Sequence, residues 1–275
     1  MTVGLTTMAF VGALGASISF AAPVAYWNFD AVTGSDTIED QVGSVDGTMI
    51  GDTNLIASGA GIGGSGFGNA IKMDAAGDRT ALGSPDVLDF GTSNFTISAW
   101  FNTENVQTLN DSQFRNILSA GQHNQGGVNL YIGPSHKSYR GKLGFDVKGA
   151  DNKNLFSDAR LDDGNWHWFA AVVDGGVMSL YVDGVKQAAT ATYGAGTTGT
   201  APSGYSTFIG REFNGGIDEF VIDDTALSAT LSGSNLTGGD LYDLWQNGVS
   251  IPEPASMALF GLASCMLGLR RRSNS

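Results

Sequence analysis

Cysteine is nearly absent: the single thiol, Cys265, lies in the last stretch of the chain. The body therefore has no disulfide framework and no thiolate metal site. Histidine is almost as scarce, with only His123, His136 and His167, and no Gly-x-Ser-x-Gly occurs. Cysteine or serine nucleophile chemistry thus finds no support. Basic residues are few, 14 against 27 acidic, and none precedes Lys72. A surface of formal net charge −13 repels nucleic acid and anionic membranes and attracts divalent cations. Also missing is any repeat of fixed period.

Long apolar runs occur only near the two ends. Ala255 to Leu269 carries no charge and is followed by Arg270, Arg271 and Arg272. As a helix it rises only about 22 Å against a hydrocarbon core of roughly 30 Å, a marginal span with its arginines on the cytoplasmic side. Pro252 and Pro254 end regular structure and leave an extended neck. The other reading, a helix packed on the body, conflicts with a segment that is apolar all round. At the other end, Met8 to Phe20 is apolar and Ser19-Phe20-Ala21 is a small-x-small cleavage site. No basic residue precedes it, so either the true start lies upstream or the leader is weak; a buried N-terminal strand is the alternative. Without the tail, 26 acidic residues face 11 basic ones, a net charge of −15.

Pro252-Glu253-Pro254, the apolar run and the arginine cluster, in that order and at the terminus, resemble the PEP-CTERM sorting signal of Gram-negative bacteria. The resemblance implies export, a transient hold in the inner membrane, a cut by an exosortase-type transpeptidase and delivery to the cell surface or exopolysaccharide matrix. The expected organisation is a leader at 1–21, one domain at 22–250 and a sorting segment at 251–275.

The body reads as short strands of period two between Gly, Asn and Asp turns, as in "FTISAWFNT" (95–103), "VNLYIG" (128–133), "KLGFDV" (142–147), "HWFAAVVD" (167–174) and "GIDEFVIDD" (216–224). Forty glycines and this spacing predict an all-β, antiparallel two-sheet sandwich or jelly roll. "SLYVDGVKQ" is a hairpin with a type I′ turn at Asp183-Gly184. "ATATYGAGTTGTAPSGY" (189–205) is a loop.

Together "YWNFD", "GNAIKM", "NFTISAWFNT", "DGNWHWFAAVVDGGVMSLYVDG" and "GGIDEFVIDDTALS" resemble the laminin-G-like, concanavalin A-like lectin/glucanase jelly roll over residues 24–247. The resemblance implies a structural calcium where the first strand and its loop meet the last strand. Its oxygen ligands would be Asp218 with Asp30 or Asp40; the alternative is an Asp218 satisfied by turn amides. Trp166 and Trp168 share a strand face, with His167 opposite, and either fill the core or form a sugar platform. Glucanases of this fold carry a carboxylate pair two apart on one strand. Here Glu219 and Asp223 share a face but are four apart, about 13 Å, and Asp218 shares its face with Phe220 and Ile222 on the core side.

The expected function is therefore a non-catalytic surface or matrix module that binds extracellular polysaccharide or a surface protein. Tyr131, Tyr139 and Tyr205 are its candidate stacking residues, or else cover core edges. A polysaccharide hydrolase or lyase on the same fold is the alternative, and neither reading involves nucleic acid.

Overall fold

Side chains of period two become strands where a second layer waits to bury one face, and here two layers wait. The computed structural model describes residues 23–249, apart from 34–35, 62–66, 75–76, 105–112, 123–124, 150–151, 194–199 and 201–203. The expected leader at 1–21 and the sorting residues Pro252, Glu253, Pro254, Arg270, Arg271 and Arg272 fall outside the described residues, as does most of the 189–205 loop. Among the described residues no helix is long and apolar enough to cross a membrane.

In chain order the strands are β1 Ala25–Trp27, β2 Thr37–Ile38, β3 Gly47–Ile50, β4 Asn54–Ala57, β5 Asn69–Met73, β6 Arg79–Gly83, β7 Phe95–Thr103, β8 Arg115–Gln122, β9 Gly126–Ile132 and β10 Leu143–Val147. They continue as β11 Lys153–Phe156, β12 Trp166–Asp174, β13 Val177–Val182, β14 Val185–Lys186, β15 Ala191–Thr192, β16 Thr207–Ile209, β17 Gly215–Asp223, β18 Thr230–Ser232 and β19 Asn235–Gly238, before helix α1 Asp240–Asn247. The larger sheet runs β18-β19-β14-β13-β12-β7-β17-β5-β4, with β1 on β17 and β15 on β13; the smaller runs β11-β10-β9-β8-β16-β6-β3-β2. All pairings between these strands are antiparallel, so the chain is the two-sheet sandwich that its sequence predicts.

Between the sheets lies one core, with Trp27, Phe95, Phe101, Phe169, Ile217 and Phe220 from the larger sheet and Leu118, Leu130, Ile132, Leu143 and Phe145 from the smaller. A second apolar layer covers the far face of the larger sheet: Tyr26, Trp100, Trp168, Tyr181 and Val221 pack with Ala60, Leu241 and Leu244. Helix α1 exists to close it. Leu241, Leu244 and Trp245 recur at helical spacing, and burying a leucine such as Leu241 contributes about 2 kcal/mol. Asp240 and Asp243 suit the positive end of the helix. Ser228 and Asp240 cap one another, each side chain accepting the other's backbone N–H at 3.1 Å. Gly248, at φ 68°, ends the helix and donates to Leu244 O.

Two expectations change here. Trp166 and Trp168 lie in or against this outer layer, not between the sheets, because Trp168 pairs with Trp100 while its neighbour Phe169 faces the core. Asp218 does not share a face with Phe220 and Ile222. A β-bulge between Asp218 and Val221 inserts an extra residue, with Glu219 at φ 51°, and strict alternation fails there. Asp218 and Val221 then face the outer layer while Phe220 and Ile222 face the core.

The hairpin turn takes its expected form, with φ 48° at Asp183 and 75° at Gly184. A Cβ on Gly184 would stand 2.1 Å from the Trp245 ring. Gly184→Ala should thus cost about 2 kcal/mol or more, from strain at positive φ and from displaced α1 packing. Chemical denaturation checks this: a loss below about 0.5 kcal/mol would mean that the helix does not depend on this contact.

Candidate functional site

Among the described residues no second apolar layer covers the far face of the smaller sheet, and that face is polar and aromatic. On β8, β9 and β10 every second side chain points away from the core. Two cross-strand rows result, Ser119–Asn129–Asp146–Asn154 and Asn116–Tyr131–Gly144–Phe156. All of their members but Gly144 and Phe156 line a cleft of about 470 Å³, together with Gln113, Phe114, Tyr139, Lys148, Tyr205, Arg211 and Glu212. That volume lies within the range of small-ligand sites.

Glycine shapes the floor. A Cβ on Gly144 would meet the Tyr131 ring at 2.5 Å, so the tyrosine lies down across β10. Its hydroxyl donates to Asp146 Oδ1 at 3.1 Å, and Phe114, which is 37% exposed, meets its ring edge-on at 4.9 Å. Tyr139 stacks on Phe156 with ring centroids 4.3 Å apart, and Tyr205 Oη lies 3.4 Å from Ser119 Oγ. The three tyrosines named from the sequence therefore converge on one cleft, in which Tyr131 is nearly buried and Tyr139 and Tyr205 are partly exposed. Burial and the Asp146 charge raise the hydroxyls of Tyr131 and Tyr139 above their ordinary value, keeping both as hydrogen-bond donors. Asp146 also holds Lys148 Nζ at 2.5 Å. At the mouth, Glu212 adopts φ 56°, a conformation non-glycine residues seldom take.

The cleft's polar members were visible in the sequence only as the off-beat residues of alternating strands. Asn129 and Tyr131 in "VNLYI", and Gly144 and Asp146 in "LGFDV", read singly as solvated positions; only the pairing brings them together.

The proposed calcium ligands are distributed differently. Asp40 is committed to the backbone, Oδ1 accepting from Tyr26, Val42 and Gly43 and Oδ2 from Val45, all at 3.0–3.2 Å. Asp30 accepts Asn69 N–H at 2.9 Å and Asn28 Nδ2 at 2.9 Å. Asp218, fully buried, accepts Ser58 Oγ at 2.5 Å and Glu219 N–H at 2.8 Å. Sequence reading set Glu219 against Asp223, but the bulge places it beside Asp218: both its oxygens lie 2.8 Å from Tyr26 Oη, and it accepts Val249 N–H. Among the described residues no group of three or more His, Cys, Asp or Glu is arranged to hold a metal ion.

Burial first, and then the mutual charge of Glu219 and Asp30, push Asp218 up to about 8, against the Ser58 hydrogen bond. Burial likewise raises Glu219, to about 7, against the Tyr26 hydrogen bond and with the charge of Asp30 adding to it. Desolvation, with like charge added to it, is the cause of both.

Residues 74–230 match the family described as the concanavalin A-like lectin/glucanases superfamily, and residues 250–273 match the PEP-CTERM protein-sorting motif. No curated protein matches the chain. Among solved structures, the binding domain of Paraclostridial Mosquitocidal Protein 1 is similar at TM-score 0.57 and 14% identity, over 75% of this chain and 50% of that one. The receptor binding domain of botulinum neurotoxin C/D mosaic serotype gives 0.56 and 15%, over 75% and 49%. Domain 4 of AbnA, an extracellular arabinanase of Geobacillus stearothermophilus solved with arabinotriose, gives 0.50 and 18%, over 75% and 94%. The chain thus spans about half the length of the toxin binding domains, and at these identities the likeness is one of fold.

A raised carboxyl means that the native state binds its proton more tightly than the unfolded chain does. The stability this gives is complete below the ordinary carboxylate range near 4 and is lost as pH climbs toward 8. Asp218→Asn, which imitates the protonated form, should flatten the fall of Tm between pH 5 and 9 by a few degrees. Parallel wild-type and variant curves would show that Asp218 does not titrate there.

Proposed function

Because the chain belongs to the concanavalin A-like lectin/glucanases superfamily, we propose that it is an exported binding protein of the cell surface or matrix, and that the cleft on its smaller sheet takes a segment of glycan. The observation that carries this reading is the convergence of Tyr131, Tyr139 and Tyr205 on one open cleft floored by Asn116, Asn129 and Asn154. Flat rings beside short amides and hydroxyls are what a sugar asks for, an apolar face to stack on and donors for its rim. A neighbouring fold solved with arabinotriose is consistent with this choice, and a protein ligand in the same cleft is the competing outcome.

The reading is non-catalytic. Asp146, the acid on the cleft floor, is engaged by Lys148 and by the Tyr131 hydroxyl. Asp218 and Glu219 form a same-face pair, but both are buried under the outer layer. Glycan arrays followed by calorimetry test the cleft: Tyr139→Ala and Tyr205→Ala should each weaken binding about tenfold with Tm little changed. Full affinity in both variants would move the ligand elsewhere.

The sorting segment supports processing by an exosortase-type transpeptidase after a transient stay in the inner membrane. In a host carrying such a system, deletion of 251–275 should send the domain into the medium. Surface retention of the deleted form would sink this part of the reading.

Calcium is a second reading for the corner where Asp30 adds its charge to Asp218 and Glu219, favoured by acids that no described cation faces. A calcium-dependent rise in Tm at pH 8, abolished by chelator and by Asp218→Asn, would establish it. Without such a rise, protons alone neutralise the pair.

A further inference from the structure

His167 stands apart from both sites, at the end of β12. Its Nδ1 lies 2.7 Å from Asp183 Oδ2 and its Nε2 lies 3.1 Å from Asp163 Oδ1. A neutral imidazole has one N–H and must turn a lone pair on one of these carboxylates; only imidazolium donates to both. The acids stand at opposite edges of the ring, so the trio does not converge on a metal ion. They also belong to different segments, Asp183 to the turn between β13 and β14 and Asp163 to the loop before β12. From β7, Phe101 stands opposite in register and meets the ring at 6.0 Å between centroids.

Both partners are fixed by other bonds. Asp183 accepts Trp168 N–H at 2.8 Å, and its loop counterpart accepts Asn165 N–H at 2.9 Å. From that loop the connection runs on toward the cleft. Gly164 donates to Thr103 O, and Leu161 donates to Gly141 O at 2.7 Å. The Asp162 carboxylate fills the space where a Cβ on Gly141 would sit, 2.2 Å away. Gly141 closes the loop that carries Tyr139, donating to Gly133 O at 2.8 Å.

We infer that His167 is a proton-operated clip: charged, it ties the 161–165 loop to the β13–β14 turn and steadies the Tyr139 loop beyond. The step from Tyr139 to ligand binding rests on the cleft reading above; the clip itself does not. Burial pushes the imidazole down, but the hydrogen bonds and charges of Asp183 and Asp163 outweigh it and carry it above its ordinary value of 6.5. A raised histidine gives stability that is complete below 6.5 and lost as pH rises through the higher folded value.

The test uses the full chain in detergent and needs no ligand. Hydrogen exchange at imidazole C2, read by mass spectrometry, should place His167 above 6.5. Amide exchange corrected for intrinsic rate should speed up severalfold in 161–165 and 139–142 as pH rises through that value. His167→Gln should remove the pH step, and Asp163→Asn, at an exposed position, should shift it to lower pH with the fold intact. A His167 that titrates at or below 6.5, or a step that persists in His167→Gln, would overturn the clip. Acceleration confined to the 183–184 turn would overturn its reach to Tyr139.

Discussion

The larger sheet is buried on both faces, and most of the structure follows from that constraint. β7, β12 and β17 each send apolar side chains to the core on one beat and to the outer layer on the next. A surface built from Trp100, Trp168, Tyr181 and Val221 cannot be left in water, so the chain must return to cover it with α1 and the segment around Ala60. That cover is also what buries Asp218 and Glu219. Their raised ionisation, the bond from Val249 and the close fit of Gly184 under Trp245 are consequences of one requirement.

The smaller sheet faces the opposite situation. Its inner side chains, Leu130, Ile132, Leu143 and Phe145, complete the core, while its outer ones are polar or aromatic and line the cleft. The asymmetry separates a sheet covered on both faces from one whose outer face carries the cleft. It also explains why the acids differ in kind: Asp146 has Lys148 at hand, whereas Asp218 and Glu219 share only hydroxyl and amide donors and one another.

The jelly roll and its main strands were legible because nine-residue alternating runs such as 95–103 and 215–223 leave little choice. Shorter strands, among them Thr37–Ile38, Gly47–Ile50 and Ala191–Thr192, were not, since two to four residues carry too little periodicity to stand out. Helix α1 was missed for a related reason: its eight residues make only about two turns around Leu241 and Leu244, with the purpose visible only once the sheet beneath needs covering. Alternation itself misled at Glu219, where one extra residue re-aimed Asp218 and turned an apparent core acid into half of a pair. For the cleft, the residue types were readable and the neighbours were not, because register across β8, β9 and β10 is set by turns and core packing together.

Val249 hangs from Glu219 on the outer face of the larger sheet, while the cleft opens on the far face of the smaller one. The whole thickness of the sandwich lies between them. On the proposed reading, a molecule held through its chain after Val249 would turn the cleft and its tyrosines away from its holder. The end of the described chain and the cleft thus stand on opposite faces of the sandwich, an arrangement that suits the surface display proposed above.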